Sequence, residues 1–266
     1  MNCRQIIEVL EQIAPQDYAE SWDNCGMSYG DLEQEVSNIL VALEPTQKVI
    51  DEAIEKNIDM IITHHPMIFS PVKSLSCDNV IGQKITKLAK NDIVSYSMHT
   101  NMDVAVMSKV SADKLDLINV RRLENTIITD GEDLSETTGL GSVGEIKNQM
   151  LLGELAELVK DRFNIDSVRV VGDLQVKVNR IAILPGSGKS YIKKAIKEEV
   201  DVLITGDIDY HSAIDALEQG ICLVDAGHFD TEYFFVDYMY NYLKTNLAKE
   251  SVKVSIATEK SPFIII

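Results

Sequence analysis

The stretch "IDMIITHH" (58–65) is a run of branched apolar residues that ends on two adjacent histidines. Short apolar runs bounded by helical patterns read as buried strands. Working outward, "NILVALE" (38–44) predicts a strand and "TQKVIDEAIEKN" (46–57) a helix before it. "IGQKITKLAKN" (81–91) predicts a helix and "IVSYSMH" (93–99) a strand after it. Strand–helix alternation at this spacing is the pattern of parallel βαβ units. An amphipathic helix over 4–14 and a polar loop, "DYAESWDNCGMSYGD", precede the first unit.

The order repeats. "NRIAILPG" (179–186), "KSYIKKAIKEEV" (189–200), "VDVLITGD" (200–207), "HSAIDALEQG" (211–220) and "ICLVDAGH" (221–228) read as strand, helix, strand, helix, strand. "IDMIITHH" lies over "VDVLITGD", and "IVSYSMH" over "ICLVDAGH". His99 is followed four positions later by Asp103, and His228 likewise by Glu232. The expected fold is α/β: two related α/β modules, an internal repeat of βαβ units with mostly parallel sheets, joined by residues 122–178. "GEDLSETTGLGSVGE" (131–145) reads as a polar loop or hairpin at the edge of the second module. The tail, a helix "TEYFFVDYMYNYLKTNLAKE" and a strand "VKVSIAT", is expected to fold back onto the first module. The first module is therefore 1–122 plus about 232–266, and the second is 123–231. Tyr233, Phe234, Phe235, Tyr238 and Tyr240 fall at helical spacing and fit a core or a subunit interface.

Composition narrows the class. A chain of 266 residues with 45% hydrophobic and 25% charged content can bury a sizeable core. Its formal charge of −17 repels polyanions, which argues against nucleic-acid binding. A small anionic substrate stays compatible where metal ions reverse the field locally. Cys3, Cys25, Cys77 and Cys222 show no C-x-x-C spacing. No signal peptide or membrane span is legible. The expectation is a cytoplasmic chain with no membrane partner and reduced thiols.

In parallel α/β folds, ligands bind beyond the carboxyl ends of the strands. His64, His65, His99 and His228 are predicted at that end, with Asp103 and Glu232 close behind. Imidazole and carboxylate together suit divalent zinc, iron, manganese, cobalt or nickel. Side chains adjacent on a strand point to opposite faces, so His64 and His65 are expected to reach different ions. Two ions about 3.5–4 Å apart polarise a substrate together, and a Glu can touch both. Each signal alone has a plainer reading, a capped strand end or a helix-capping carboxylate. Their convergence favours a dinuclear site in the cleft between the modules.

Three further stretches stay open. "LPGSGKSYIKK" (184–194) fails the Walker signature because position 183 is Ile. It is either a phosphate-binding helix start or a tight turn with Lys189 in solvent. "SWDNCGMSYGD" is either a turn stapled by a half-buried Trp22 or a loop bringing Asp23 or Asn24 to the site. His211 is either a proton-transfer group or a surface residue.

"SWDNCGMSYGD", "THHPMIF", "HTNMDVA", "ITGDIDYHSAIDALEQG" and "DAGHFDTE" occur in the order found in the NIF-three-like family, whose members are labelled GTP cyclohydrolase 1 type 2 homologues, and the chain resembles that family through nearly its whole length. The resemblance implies two linked α/β domains, a dinuclear metal centre and a homo-oligomer, with a ring-like hexamer favoured. The chain is too short for the extra domain that some members insert between the halves. The resemblance implies His64, His65, Asp103, His228 and Glu232 as metal ligands, with Glu232 touching both ions. His99 becomes a neighbour of the metals and the catalytic proton carrier, with a carboxylate beside the ligands as the alternative carrier. Lys189 stands where small residues are more usual. The implied activity is a metal-dependent hydrolase opening the purine imidazole ring of GTP with loss of formate. A metal-dependent phosphoesterase and a non-catalytic metal-binding regulatory protein are the alternatives.

Overall fold

The computed structural model describes residues 1–125 and 138–266 and divides into two compact units, 1–102 with 234–260 and 103–233 with 261–266. The first begins with α1 (Cys3–Glu11), closed at its start by Asn2 and Gln5 in a reciprocal capping box. β1 (Gly26–Tyr29) and β2 (Asn38–Ala42) follow, then α2 (Gln47–Glu55), capped by the Thr46 hydroxyl on the Val49 N–H at 3.2 Å. β3 (Met60–Thr63), α3 (Val80–Lys90), β4 (Val94–Ser97) and the short α4 (Thr100–Met102) complete the first pass.

The second unit opens with a π-helical turn, Asp103–Met107, that runs into α5 (Ser108–Lys114). Then come β5 (Ile118–Asn125), β6 (Gly139–Leu151), α6 (Leu152–Phe163), β7 (Arg169–Val171) and β8 (Lys177–Ser187). A 3₁₀ turn (Lys189–Tyr191) leads into α7 (Ile192–Lys197), β9 (Val202–Gly206), α8 (Tyr210–Glu218), β10 (Cys222–Asp225) and α9 (His228–Glu232). The six strands are ordered β5-β6-β8-β9-β10-β7. The chain then returns to the first unit through α10 (Phe234–Asn246) and β11 (Lys253–Ile256). β11 lies parallel to β2 and completes the five-stranded order β1-β4-β3-β2-β11.

β2, β3 and β4 pair in parallel and are buried almost throughout. Strands covered on both faces read as unbroken apolar runs, which is why the sequence exposed them. Leu40, Ile50, Ile61, Leu88 and Ile93 form the core of the first unit. Ala182, Leu203, Leu223, Ile192 and Ala216 do so in the second.

Several expectations need correction. Residues 103–122 pack in the second unit, not with the first module. Residues 122–178 are no simple join: β6, α6 and β7 lie within them, and β6 supplies a central strand of the second sheet. Only β8, β9 and β10 pair in parallel there, while β5–β6, β6–β8 and β10–β7 are antiparallel. These added strands are polar, glycine-containing or three residues long, so they lack the apolar signature of a parallel core. The polar loop or hairpin expected at 131–145 falls partly outside the described residues, and from Gly139 onward it is strand, paired antiparallel with the edge strand β5. β1, read as part of a polar loop, pairs antiparallel with β4.

Candidate metal centre

In the first unit the site is built on the ends of β3 and β4. The Thr63 hydroxyl donates to the His65 carbonyl (2.7 Å), and the His65 N–H donates to the Leu43 carbonyl (3.0 Å). These bonds bend the chain just past β3, so the strict alternation of a strand no longer applies at His64 and His65. Their rings lie 4.9 Å apart, and both approach His99, at 5.2 and 5.5 Å. A donor atom from each of the three histidines lies within 4.8 Å of the others. The two adjacent rings thus lie near one another and near His99.

Each ring is turned by a bond at Nδ1. His64, fully buried, donates Nδ1–H to the Met98 carbonyl at 2.9 Å, and a carbonyl can only accept. His65 Nδ1 is bonded to the Glu44 carboxylate. His99 Nδ1 lies 2.8 Å from Asp23 Oδ1. With Nδ1 carrying the proton, each Nε2 presents its lone pair, the tautomer a ligating histidine uses. Phe235, also fully buried, packs under the His64 ring with centroids 5.1 Å apart.

The supports are themselves held. Burial would raise the Asp23 carboxyl, but hydrogen bonds from His99, Cys25 and Thr100 outweigh it and hold it well below the usual carboxylate range. Asp23 is thus ionised whenever His99 needs an acceptor. Glu259 braces Glu44 by accepting the N–H groups of Leu43 (2.6 Å) and Glu44 (3.0 Å). Burial pushes the Glu259 carboxyl up.

Cys25 donates its thiol to Asp23 Oδ2 at 2.9 Å. Burial, then the bond to Asp23, pushes that thiol up to about 12. A raised thiol pKa keeps the unreactive protonated form, so Cys25 should resist alkylation although half-buried. With iodoacetamide at about pH 8, exposed Cys77 should be modified at least roughly tenfold faster than Cys25, read by peptide mass mapping. Rapid modification of Cys25 would mean that the Asp23 loop opens in solution.

In the second unit His228 opens α9 and Glu232 closes it, four residues apart on one helical face. His228 Nδ1 lies 2.7 Å from Asp207 Oδ2, just past β9, and His228 Nε2 lies 3.1 Å from Glu232 Oε2. With the Nδ1–H of His228 donated to Asp207, the second contact sets two lone pairs face to face. It calls for a positive charge between them, either a proton or a cation. Gly186 reaches this pair because a Cβ there would lie 2.0 Å from Glu232 Oε1 and 3.4 Å from His228 Nε2. Gly188 likewise has room only for a hydrogen, since its Cβ would fall 2.2 Å from the Thr205 hydroxyl. The glycines of "PGSGKS" therefore serve close approach to the site and the sheet. Lys189 pairs with Asp209 at 3.0 Å. Asp103, half-buried, opens the π-helical turn, a distortion of the kind found at functional sites.

The structure thus gathers His64, His65 and His99 in one unit and His228 with Glu232 in the other. His211 is exposed and meets Tyr210 edge-on, with ring centroids 5.5 Å apart. Trp22 is 59% exposed, so it is no half-buried staple. Glu44 and Asp207, which orient two histidines, were not singled out from sequence. Their signal was position: each closes a predicted strand at its carboxyl end, in "NILVALE" and "VDVLITGD".

Strand-end histidines backed by carbonyl and carboxylate acceptors define an α/β protein with a candidate metal site. The DUF34/NIF3 (NGG1p interacting factor 3) family model matches residues 1–262, and the chain belongs to that family. It is 36% identical over 261 residues to a GTP cyclohydrolase 1 type 2 homolog of Clostridium acetobutylicum, covering 98% of this chain and 96% of that protein. A homolog of the same name from Clostridium perfringens is 34% identical over 263 residues, covering 99% of each chain. Among solved structures, a Bacillus cereus protein related to NIF3 superposes with a TM-score of 0.91 at 28% identity, covering 100% of this chain and 99% of that one. No helix among the described residues is long and apolar enough to cross a membrane.

Proposed function

We propose that the chain is a dinuclear metal-dependent hydrolase acting on a nucleotide or related small molecule. Ring opening of GTP is the leading reaction, in keeping with the name GTP cyclohydrolase 1 type 2 homolog that its relatives carry. His64, His65, Asp103, His228 and Glu232 would hold two divalent ions, zinc, iron, manganese, nickel or cobalt. On this reading the protein works as a homo-oligomer, a hexamer in the favoured form.

The observation that carries the reading is the tautomer pattern. Four of the five histidines bond through Nδ1 to a carbonyl or carboxylate, which leaves Nε2 of each as the electron-pair donor. Structural histidines have no need of a uniform choice of nitrogen, whereas metal ligation imposes one. The donor set of imidazole and carboxylate fits such ions. Paired ions, when bound, supply Lewis acidity and nucleophilic water at neutral pH.

The protein's own groups do the rest. His99 Nε2 takes a proton, and the ionised Asp23 carboxylate at 2.8 Å from Nδ1 stabilises the imidazolium that results. The buried His64 and Glu232 exclude water from one side of their donors.

The test is elemental analysis of protein purified without chelator, beside a His64→Ala/Glu232→Ala variant, with formate assayed from GTP. Wild-type protein should carry metal and release formate. The double variant should lose metal affinity by more than the roughly 10- to 100-fold that removal of an outer partner costs. Unchanged metal content in the variant would overturn the ligand set. Phosphate release in place of formate would assign a phosphoesterase, and a metal-filled protein without turnover would assign a non-catalytic role.

A further inference from the structure

Beside the histidine cluster, the first unit displays two large aromatic rings that its fold does not bury. Trp22 is 59% exposed and Phe69 61% exposed. Their ring centroids lie 5.9 Å apart at an interplanar angle of 55°. Both rings also meet His99 nearly edge-on, Trp22 at 6.2 Å and Phe69 at 6.4 Å. The three rings form an open corner of aromatic faces.

The exposure is held in place by the chain around it. Glu20, Ser21, Trp22 and Asp23 form a turn closed by the Asp23 N–H on the Glu20 carbonyl at 2.9 Å. The Glu20 N–H donates to the Thr100 hydroxyl (2.9 Å), and Asp23 accepts from the Thr100 N–H (3.0 Å). Asn24 Nδ2 donates to the Ile68 carbonyl (2.6 Å), which ties the Trp22 loop to the residue before Phe69. Every one of these anchors is a hydrogen bond made by residues flanking the rings, none by the rings themselves. Two loops fixed to one another thus present aromatic faces that could have been turned inward.

We propose that Trp22 and Phe69 form a stacking platform for a planar heteroaromatic ring, a purine-type base, and seat it against His99. This rests on the hydrolase reading, since it names what that site recognises. A ring cannot slot between the two aromatics, because a sandwich needs two contact distances of about 3.5–4.0 Å and the pair is closer and tilted. The ligand lies instead on the outer faces, face-on to one ring and edge-on to the other, the arrangements aromatic quadrupoles favour. Stacking of this kind tolerates any π-face and leaves the remaining ligand atoms to the neighbouring polar groups.

Trp22 is the only tryptophan in the chain, so intrinsic tryptophan emission reports this platform alone. The experiment titrates the full-length protein with guanosine, and in parallel with ribose 5-phosphate and inorganic phosphate. Guanosine should change the Trp22 emission saturably, and the two ring-free probes should not. By calorimetry, Phe69→Ala and Trp22→Ala should each weaken guanosine binding about tenfold or more, with metal content unchanged. The platform is overturned by emission blind to guanosine, by an equal response to ribose 5-phosphate, or by Phe69→Ala binding as wild type. It is also overturned if the emission of ligand-free protein shifts with protein concentration, which would make the pair a contact between copies. Assaying formate from GTP on the same wild-type protein separates the two readings. Guanosine binding by wild-type protein that releases no formate from GTP keeps the platform and removes the hydrolase, and formate release without an emission response does the reverse.

Discussion

Gly186→Ala protein is expected to fold and to lose most of its metal affinity. Gly186 has φ +73°, a left-handed conformation that costs a residue with a Cβ about 1–2 kcal/mol. The larger effect is steric. The new methyl would sit 2.0 Å from Glu232 Oε1, so the carboxylate must retreat by more than about 1 Å to restore ordinary contact. Because the obstructed atom is the far end of a flexible side chain, the side chain can yield and the backbone need not. Glu232 then leaves the position beside His228 Nε2 from which it would share an ion. A drop in metal affinity of at least roughly 10- to 100-fold is expected, with cooperative unfolding retained. Metal titration beside thermal unfolding reads both. Full metal occupancy in this variant would exclude Glu232 from the ligands. Gly206→Ala is the contrasting change: its Cβ would meet the His228 backbone nitrogen at 2.5 Å, and backbone cannot swing aside.

Phe235→Ala should give the largest loss of stability in the first unit. Phe235 is fully buried on α10, and truncating a core phenylalanine costs about 3–5 kcal/mol, part transfer and part cavity. The cavity opens directly under the His64 ring, 5.1 Å away, so His64 gains freedom to tilt off the Met98 carbonyl. Denaturant unfolding should record the stability loss and metal titration a weakened site. Phe235→Leu, which keeps most of the volume, should cost under about 1.5 kcal/mol and retain metal. If Phe235→Leu loses metal while remaining stable, the aromatic ring itself supports His64.

Much of this was legible before any coordinates. β2, β3, β4, β8, β9 and β10 were visible because strands buried on both faces spell out continuous apolar runs. β5 and β6 were not, since half-exposed strands with Arg, Asn, Gly and Gln give no such run. β7, three residues long, has too little pattern to read. His64, His65 and His228 stood out because strand ends in this fold are where chemistry gathers. Glu44 and Asp207, which orient His65 and His228, did not, and although Asp23 and His99 were each candidates, their pairing across 76 positions has no local signal. The bend that turns His64 and His65 to one side was also hidden, because it depends on the hydrogen bonds of Thr63 and Leu43 rather than on spacing.

Glu259 carries a last consequence. Its carboxylate fixes the backbone of Leu43 and Glu44 from more than two hundred positions downstream, and Glu44 in turn aims His65. During synthesis, a nascent polypeptide therefore carries both neighbouring histidines long before it carries their brace. The aim of His65 is therefore completed only once the stretch carrying Glu259, just past β11, has been synthesised and has docked against Leu43 and Glu44.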